Sequence, residues 1–227
     1  MPRTLDPAAH AIRRDAFVGA AERLIRSKGY EQLSIQEILD ELGASKGAFY
    51  HYFDSKAALL EAVVDRMADD ALETVAPLVG DPQAPALAKL QGVFGGIARF
   101  KSERLELVLA LLEVWLSDDN AIVREKLRRI VVRRMGPVLA VILRQGAAEG
   151  MALVSSPEDT ARVLASFIAG ASEAAVELYV ERQAGTVSFA VVERTLGAYA
   201  AAFERILGLP PGSRVFLSGE TLHPWYD

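Results

Sequence analysis

Apolar residues in this chain recur at intervals of three and four, the spacing of one face of an α-helix, over almost its whole length. Phe17, Ala21, Leu24 and Ile25 mark the buried face of a first helix, opened by Asp6-Pro7 and closed by Lys28-Gly29. Ile35, Ile38, Leu39 and Leu42 form the stripe of a short second helix. Ser34 and Glu37 stand before it in capping-box register, and Leu33 and Ile38 at the spacing of a hydrophobic staple. Gly43 ends that helix where a left-handed residue costs least. Ser45 is placed to cap a third helix, and Asp54 or Ser55 a fourth.

Beyond Lys56 the pattern predicts a connecting helix to about Val75, ending near Ala76-Pro77, then a loop at 80–85. Helices follow at about 85–101, 103–117 and 119–149. Gly136-Pro137 is expected to kink or split the last of these, since proline removes a hydrogen bond and crowds the preceding turn. Ser156-Pro157 opens a helix to about Gln183, and a final helix spans about 188–207. Only Arg214–Leu217 hints at a strand. The fold class read from this pattern is all-α: an N-terminal three-helix domain over 1–56 and a larger helical domain over 57–227.

The stretch from Ser34 to Lys56 narrows the functional reading. Two helices joined by a tight glycine turn form a helix-turn-helix, whose second helix enters the DNA major groove. The second helix here is too short, and too rich in Gly, Lys, Tyr and His, to serve only as core. Phe49 and Phe53, four apart on the face opposite Lys46 and Tyr50, read as core.

The run Ser-Lys-Gly-Ala-Phe-Tyr-His-Tyr-Phe-Asp-Ser-Lys resembles the DNA-binding domain of the TetR family of bacterial repressors. Gly29-Tyr30 before the second helix, the Leu-Gly turn, Ser-Lys-Gly opening the third and the aromatic run before Ser-Lys carry the likeness, over roughly residues 10–65. The resemblance implies that Tyr50 and Lys56 contact phosphates, and that Lys46, Gly47 and Ala48 face the groove floor, next to the capping Ser45. Lysine suits guanine edges or phosphate, glycine permits close backbone approach, and a methyl suits thymine. Gln36 matches a base-reading position, and His51, Tyr52 and Ser34 would add phosphate contacts. Two features depart from the family pattern. The order is Tyr-His-Tyr-Phe rather than Tyr-Tyr-His-Phe, which opens the separate roles of His51 and Tyr52. Ile35 stands where a hydroxyl residue is common, which removes one phosphate contact.

Charge pulls the other way. The chain carries net −5 with a pI near 5.4, the reverse of a simple nucleic-acid footprint. Residues 1–56 balance, with eight basic against eight acidic side chains, so 17 − 22 = −5 falls on 57–227. The motif therefore carries the DNA-binding reading, and a shallow salt dependence is expected. Zero cysteines exclude disulfides and thiol chemistry. The N-terminus lacks the apolar core of a signal peptide, no stretch approaches a membrane span of ~18 apolar residues, and a cytoplasmic protein is expected.

In the second domain, Ala165, Ala169, Ser172 and Val176 form a row on one helix, and Ala198, Ala201 and Ala202 on the next. Small residues let helices approach closely, and two such helices per subunit suit a four-helix dimer interface. The resemblance implies the same homodimer, which would present two reading heads to a palindromic DNA operator. Phe94, Phe100, Trp115, Met135 and Phe167 are candidate lining for a small, largely apolar ligand, with Glu113, Asn120 and Glu173 as polar handles. Each aromatic taken singly, at helical spacing, is more often plain core than pocket lining. Gly92, Gly95 and Gly96 suggest a mobile helix or close helix packing. The tail from Gly208, with Phe216, Leu217, Trp225 and Tyr226, is too apolar to stay solvated and is expected to dock. The implied protein is a ligand-responsive repressor without catalytic residues, metal or cofactor. A helical small-molecule carrier or enzyme is the rival. Against it, His10, His51 and His223 are scattered, and nucleophile-elbow, Walker and dinucleotide motifs are absent.

Overall fold

Nine α-helices follow one another among the described residues, without a strand: α1 (Pro7–Lys28), α2 (Ile35–Leu42), α3 (Lys46–Tyr52), α4 (Lys56–Gly80), α5 (Ala86–Ser102), α6 (Leu105–Leu116), α7 (Ala121–Ala148), α8 (Pro157–Gln183) and α9 (Phe189–Leu207). The structure, a computed structural model, describes residues 7–116, 121–151, 154–213, 215 and 225–226, without the side chains of Glu113, Trp115, Leu116, Ile122, Val123 and Leu127. Asp6 and most of 214–217 lie outside the described residues.

The two interior prolines depart from the sequence reading. Pro77 lies within α4, which continues to Gly80, and Pro137 lies within a continuous α7. Both rings are exposed. Pro77 occupies the last turn, where one lost bond matters least. Pro137 forgoes its own helical hydrogen bond on a side open to water, and buried Leu139, Ile142 and Leu143 hold the rest of α7 in place.

By contacts the chain divides into two compact units, Met1–Met67 with Arg104–Leu127, and Ala68–Glu103 with Arg128–Asp227. The cut falls within α4 and α7 rather than at 56/57, and the first unit gains α6, which packs on α1. Nothing local in the sequence signals that partnership. The first unit closes over Phe17, Ile25, Leu33, Ile38, Phe49, Phe53 and Leu60. Ion pairs Arg66–Glu22, Lys28–Glu37 and Arg23–Glu41 tie α1 to α4 and to α2.

In the second unit, Leu90, Val93, Phe94, Leu139, Leu143, Leu164, Ala165 and Phe203 belong to one buried cluster. Two of the three glycines of α5, Gly92 and Gly96, are explained by close packing. A Cβ on Gly96 would fall 2.4 Å from Val75 Cγ1, and one on Gly92 would fall 2.0 Å from Leu78 Cδ2. Buried Lys89 donates to the Val79 carbonyl at 2.8 Å and to Gln145 Oε1 at 2.7 Å. Glu149 accepts from the Ala86 amide, and Gln145 donates to the Ala84 carbonyl, so one polar cluster joins α4, α5 and α7.

The described part of the tail docks on its own unit. Leu209 and Val215 enter the core, and the Gly212 amide donates to buried Glu204. The Tyr226 hydroxyl donates to the Ala175 carbonyl at 2.8 Å, and burial pushes that phenol up to about 12. Phe216 and Leu217 lie outside the described residues.

Candidate nucleic-acid interface

A cap at each end fixes the turn between α2 and α3. The Ser34 hydroxyl accepts from the Glu37 amide, and the Glu37 carboxylate accepts from the Ser34 amide, completing the capping box. At the far end Gly43 adopts φ +58, with its amide on the Asp40 carbonyl and the Ala44 amide on that of Leu39. This is the pair of bonds of a Schellman stop. Two residues later the Ser45 hydroxyl accepts from the Ala48 amide and starts α3. Ser55, not Asp54, caps α4, accepting from the Ala58 amide at 3.0 Å.

Glu37 also accepts from Lys28, and the hydrogen bonds from Lys28 and Ser34 hold its carboxyl well below the carboxylate range, at about 2. A depressed carboxylate contributes stability above the unfolded value, about 4.3, and loses it as pH falls through the folded one. Between about pH 4.5 and 2 the melting temperature of the first unit is therefore expected to fall. Glu37→Gln should flatten that acid dependence in thermal melts followed by circular dichroism.

Packing decides which way α3 faces. Phe49 is fully buried, with its ring edge-on to Phe17 at 5.8 Å and tilted against Phe53 at 5.8 Å. That anchor turns Lys46, Gly47, Tyr50 and His51 outward, and all four are exposed. Tyr50 is 46% exposed, rare for so large a ring. Ala48 is half-buried. Tyr52 is half-buried too, its ring 5.6 Å from Phe17 and 4.7 Å from His10, so much of it serves packing. Gln36 is exposed, its amide donating to Asp40 at 2.7 Å. The hydroxyls of Ser34 and Ser45 are engaged as caps. Lys56 opens α4 with Nζ 3.3 Å from the Glu31 carbonyl and 4.3 Å from the centre of the Tyr30 ring.

Three residues of this surface carried no role in the sequence reading. Tyr30 backs Lys56, His10 of α1 meets the rings of His51 and Tyr52, and the Arg14 guanidinium lies 5.2 Å over the Phe53 ring. Gly29-Tyr30 was visible as part of the family motif. The α1 partners had no local signal, because their neighbours lie some forty positions away.

Elsewhere the candidate residues divide. Phe94 and Met135 sit in the buried cluster of the second unit with Phe167 packed against it, and Phe94 meets Phe203 edge-on at 5.5 Å. Phe100 is buried outside that cluster. The Trp115 and Glu113 side chains and the whole of Asn120 lie outside the described residues. Ala165 and Ala169 are 0% and 4% exposed within their own chain, so their small side chains already serve packing inside it. Ser172, Val176, Ala201 and Ala202 are half-buried and Ala198 is exposed, as are Gly197 and Val163.

The model of the family described as bacterial regulatory proteins, tetR family, matches residues 17–63, the span of α2, α3 and their flanks. Residues 17–63 thus carry the helix-turn-helix domain of the tetR family. An uncharacterized HTH-type transcriptional regulator in the lacX 3' region of Lactococcus lactis subsp. lactis is 48% identical over 52 residues, 23% of this chain and 26% of that protein. The HTH-type transcriptional repressor DhaR of Mycobacterium sp. (strain GP1) is 26% identical over 174 residues, 74% of this chain and 83% of its own length. The chain thus spans about a quarter of the first relative and most of the second. The crystal structure of RolR in complex with resorcinol shares the fold, with TM-score 0.64, 17% identity and coverage of 92% of this chain and 94% of that one. Both relatives are named as HTH-type transcriptional regulators.

Proposed function

We propose that this chain is a cytoplasmic TetR-type repressor that binds a palindromic DNA operator as a homodimer and leaves it when a small, largely apolar molecule binds. The observation that carries the reading is the outward face of α3, where Lys46, Gly47, Tyr50 and His51 stand exposed beside Lys56 while Phe49 locks the helix from behind. Residues 1–56 would read DNA, and 57–227 would bind the ligand and the second copy. In this assignment Lys46, Gly47 and Ala48 meet base edges, Gln36 reads a base, and Tyr50, His51, Tyr52, Ser34, Ser45 and Lys56 line the phosphates.

For the dimer, Ser172 and Val176 of α8 and Ala198, Ala201 and Ala202 of α9 remain available, without Ala165 and Ala169. For the ligand, Phe94, Met135 and Phe167 supply apolar surface, and the fold neighbour RolR was crystallised with resorcinol, a small aromatic. Such a molecule acts only by binding the released conformation more tightly than the operator-bound one.

A gel shift with DNA from upstream of the protein's own reading frame tests the core of this. Wild type is expected to bind, and the double variant Tyr50→Phe, Lys56→Ala to bind at least about 100-fold more weakly, since each change removes a bond to a charged phosphate. Equal binding by the variant would reject the contact assignment. Absence of binding by wild type, on that DNA and on fragments selected from random sequence, would favour the carrier or enzyme reading.

A further inference from the structure

Lys56 is not a free-swinging cation. Its stem is half-covered, its Nζ lies 4.3 Å from the centre of the Tyr30 ring, and it donates to the Glu31 carbonyl at 3.3 Å. Both partners belong to the turn between α1 and α2, twenty-five and more positions away. That turn is itself fixed. Gly29 adopts φ +82 with its amide on the Ile25 carbonyl at 2.8 Å, and the Leu33 amide returns to the Tyr30 carbonyl at 3.1 Å. Tyr30 is buried, so its ring presents one face at a set height. Burial, followed by the charges of Glu31 and Glu61, pushes its phenol up to about 12, so the ring stays neutral at working pH.

An ammonium attracted to a ring face keeps its remaining N–H groups for other acceptors. Lys56 is the first residue of α4, whose Ser55 cap takes the Ala58 amide and leaves the amides of Lys56 and Ala57 outside the helix's own bonding. A phosphate arriving there would meet a cation already in position, and binding would not have to order a flexible lysine.

We infer that Tyr30 is a positioning residue for DNA binding, its ring face holding the Lys56 ammonium at the N-terminus of α4 to receive a backbone phosphate. This rests on the DNA-binding reading above and adds a residue that touches no DNA itself.

The salt dependence of binding separates positioning from mere support. Each neutralised phosphate adds about 0.9 to the slope of log K against log salt. A fold defect lowers the active fraction but leaves the slope of the remaining molecules alone. The probe is a duplex selected by wild type from random DNA, titrated by fluorescence anisotropy between about 50 and 200 mM NaCl. Lys56→Ala is expected to reduce the slope by about 0.9 per protomer. Tyr30→Leu should give most of the same loss, Tyr30→Phe should keep the wild-type slope, and Tyr30→Leu added to Lys56→Ala should change it no further. Tyr30→Met replaces the leucine variant if that one does not fold. A wild-type slope in the leucine or methionine variant, beside a reduced slope in Lys56→Ala, overturns the positioning role and leaves the DNA-binding reading standing. An unchanged slope in Lys56→Ala removes the phosphate contact and the inference with it. Failure of wild type to select any duplex refutes the functional reading itself.

Discussion

Phe49→Ala is expected to cost the N-terminal unit about 3–5 kcal/mol and to abolish DNA binding, while the helices of the second unit stay folded. Phe49 is 0% exposed and meets the rings of Phe17, Tyr50 and Phe53. The loss is large because α3 has only seven residues. Isolated helices shorter than ~12–15 residues are marginal in water, so docking through Phe49, rather than its own backbone bonds, keeps α3 formed. The other ring contacts of α3, His51 with His10 and Tyr52 with His10 and Phe17, lie at exposed or half-buried positions and compensate little. A typical domain has about 5–15 kcal/mol to lose, so a deficit of this size takes much or all of the unit's stability. Phe49→Leu, which keeps most of the apolar volume, should cost clearly less. Urea unfolding followed by circular dichroism, with anisotropy on the selected duplex, reads both effects. A Phe49→Ala protein with an unchanged first transition would mean that α3 is held by something other than this ring.

The N-terminal unit was legible in the sequence because its signals are local. Ser34, Glu37, Gly43, Ser45 and Ser55 act on neighbours three to five positions away, and each does in the structure what its residue type permits. The spacing of Phe49 and Phe53 against Lys46 and Tyr50 already separated an inner from an outer face.

What the sequence hid depends on distance or on solvent. Pro77 and Pro137 read as breaks because local chemistry penalises them, yet exposure of the ring and burial of flanking leucines outweigh that penalty. Ala165 and Ala169 show the same blindness. A row of small residues reports that something approaches closely, and cannot say whether it is the same chain or a second one. The partnership of α1 with α6, and of Tyr30 with Lys56, joins segments far apart in sequence and leaves no periodic trace. Lys89 is the strongest case, since on helical spacing it is one more polar residue between apolar ones.

Lys89→Met is accordingly expected to destabilise the second unit by about 3–5 kcal/mol, more than a surface lysine warrants. Lys89 is 3% exposed, and its Nζ satisfies two acceptors, the Val79 carbonyl at the end of α4 and Gln145 Oε1 on α7. Methionine fills the space of the stem but donates nothing, so both oxygens lose their partner in a site closed to water. An unmet buried acceptor costs about 1–3 kcal/mol, and Gln145 would also lose the restraint that aims its amide at the Ala84 carbonyl and at Glu149. The cost should therefore be shared between neighbours. In a double-mutant cycle with Gln145→Leu, the two losses should fall short of adding by about 1 kcal/mol or more. Strict additivity would show that Lys89 and Gln145 act separately. A Lys89→Met protein as stable as wild type would show that the end of α4 needs no such clamp, and that apolar packing around Leu90 and Leu143 alone holds α4, α5 and α7 together.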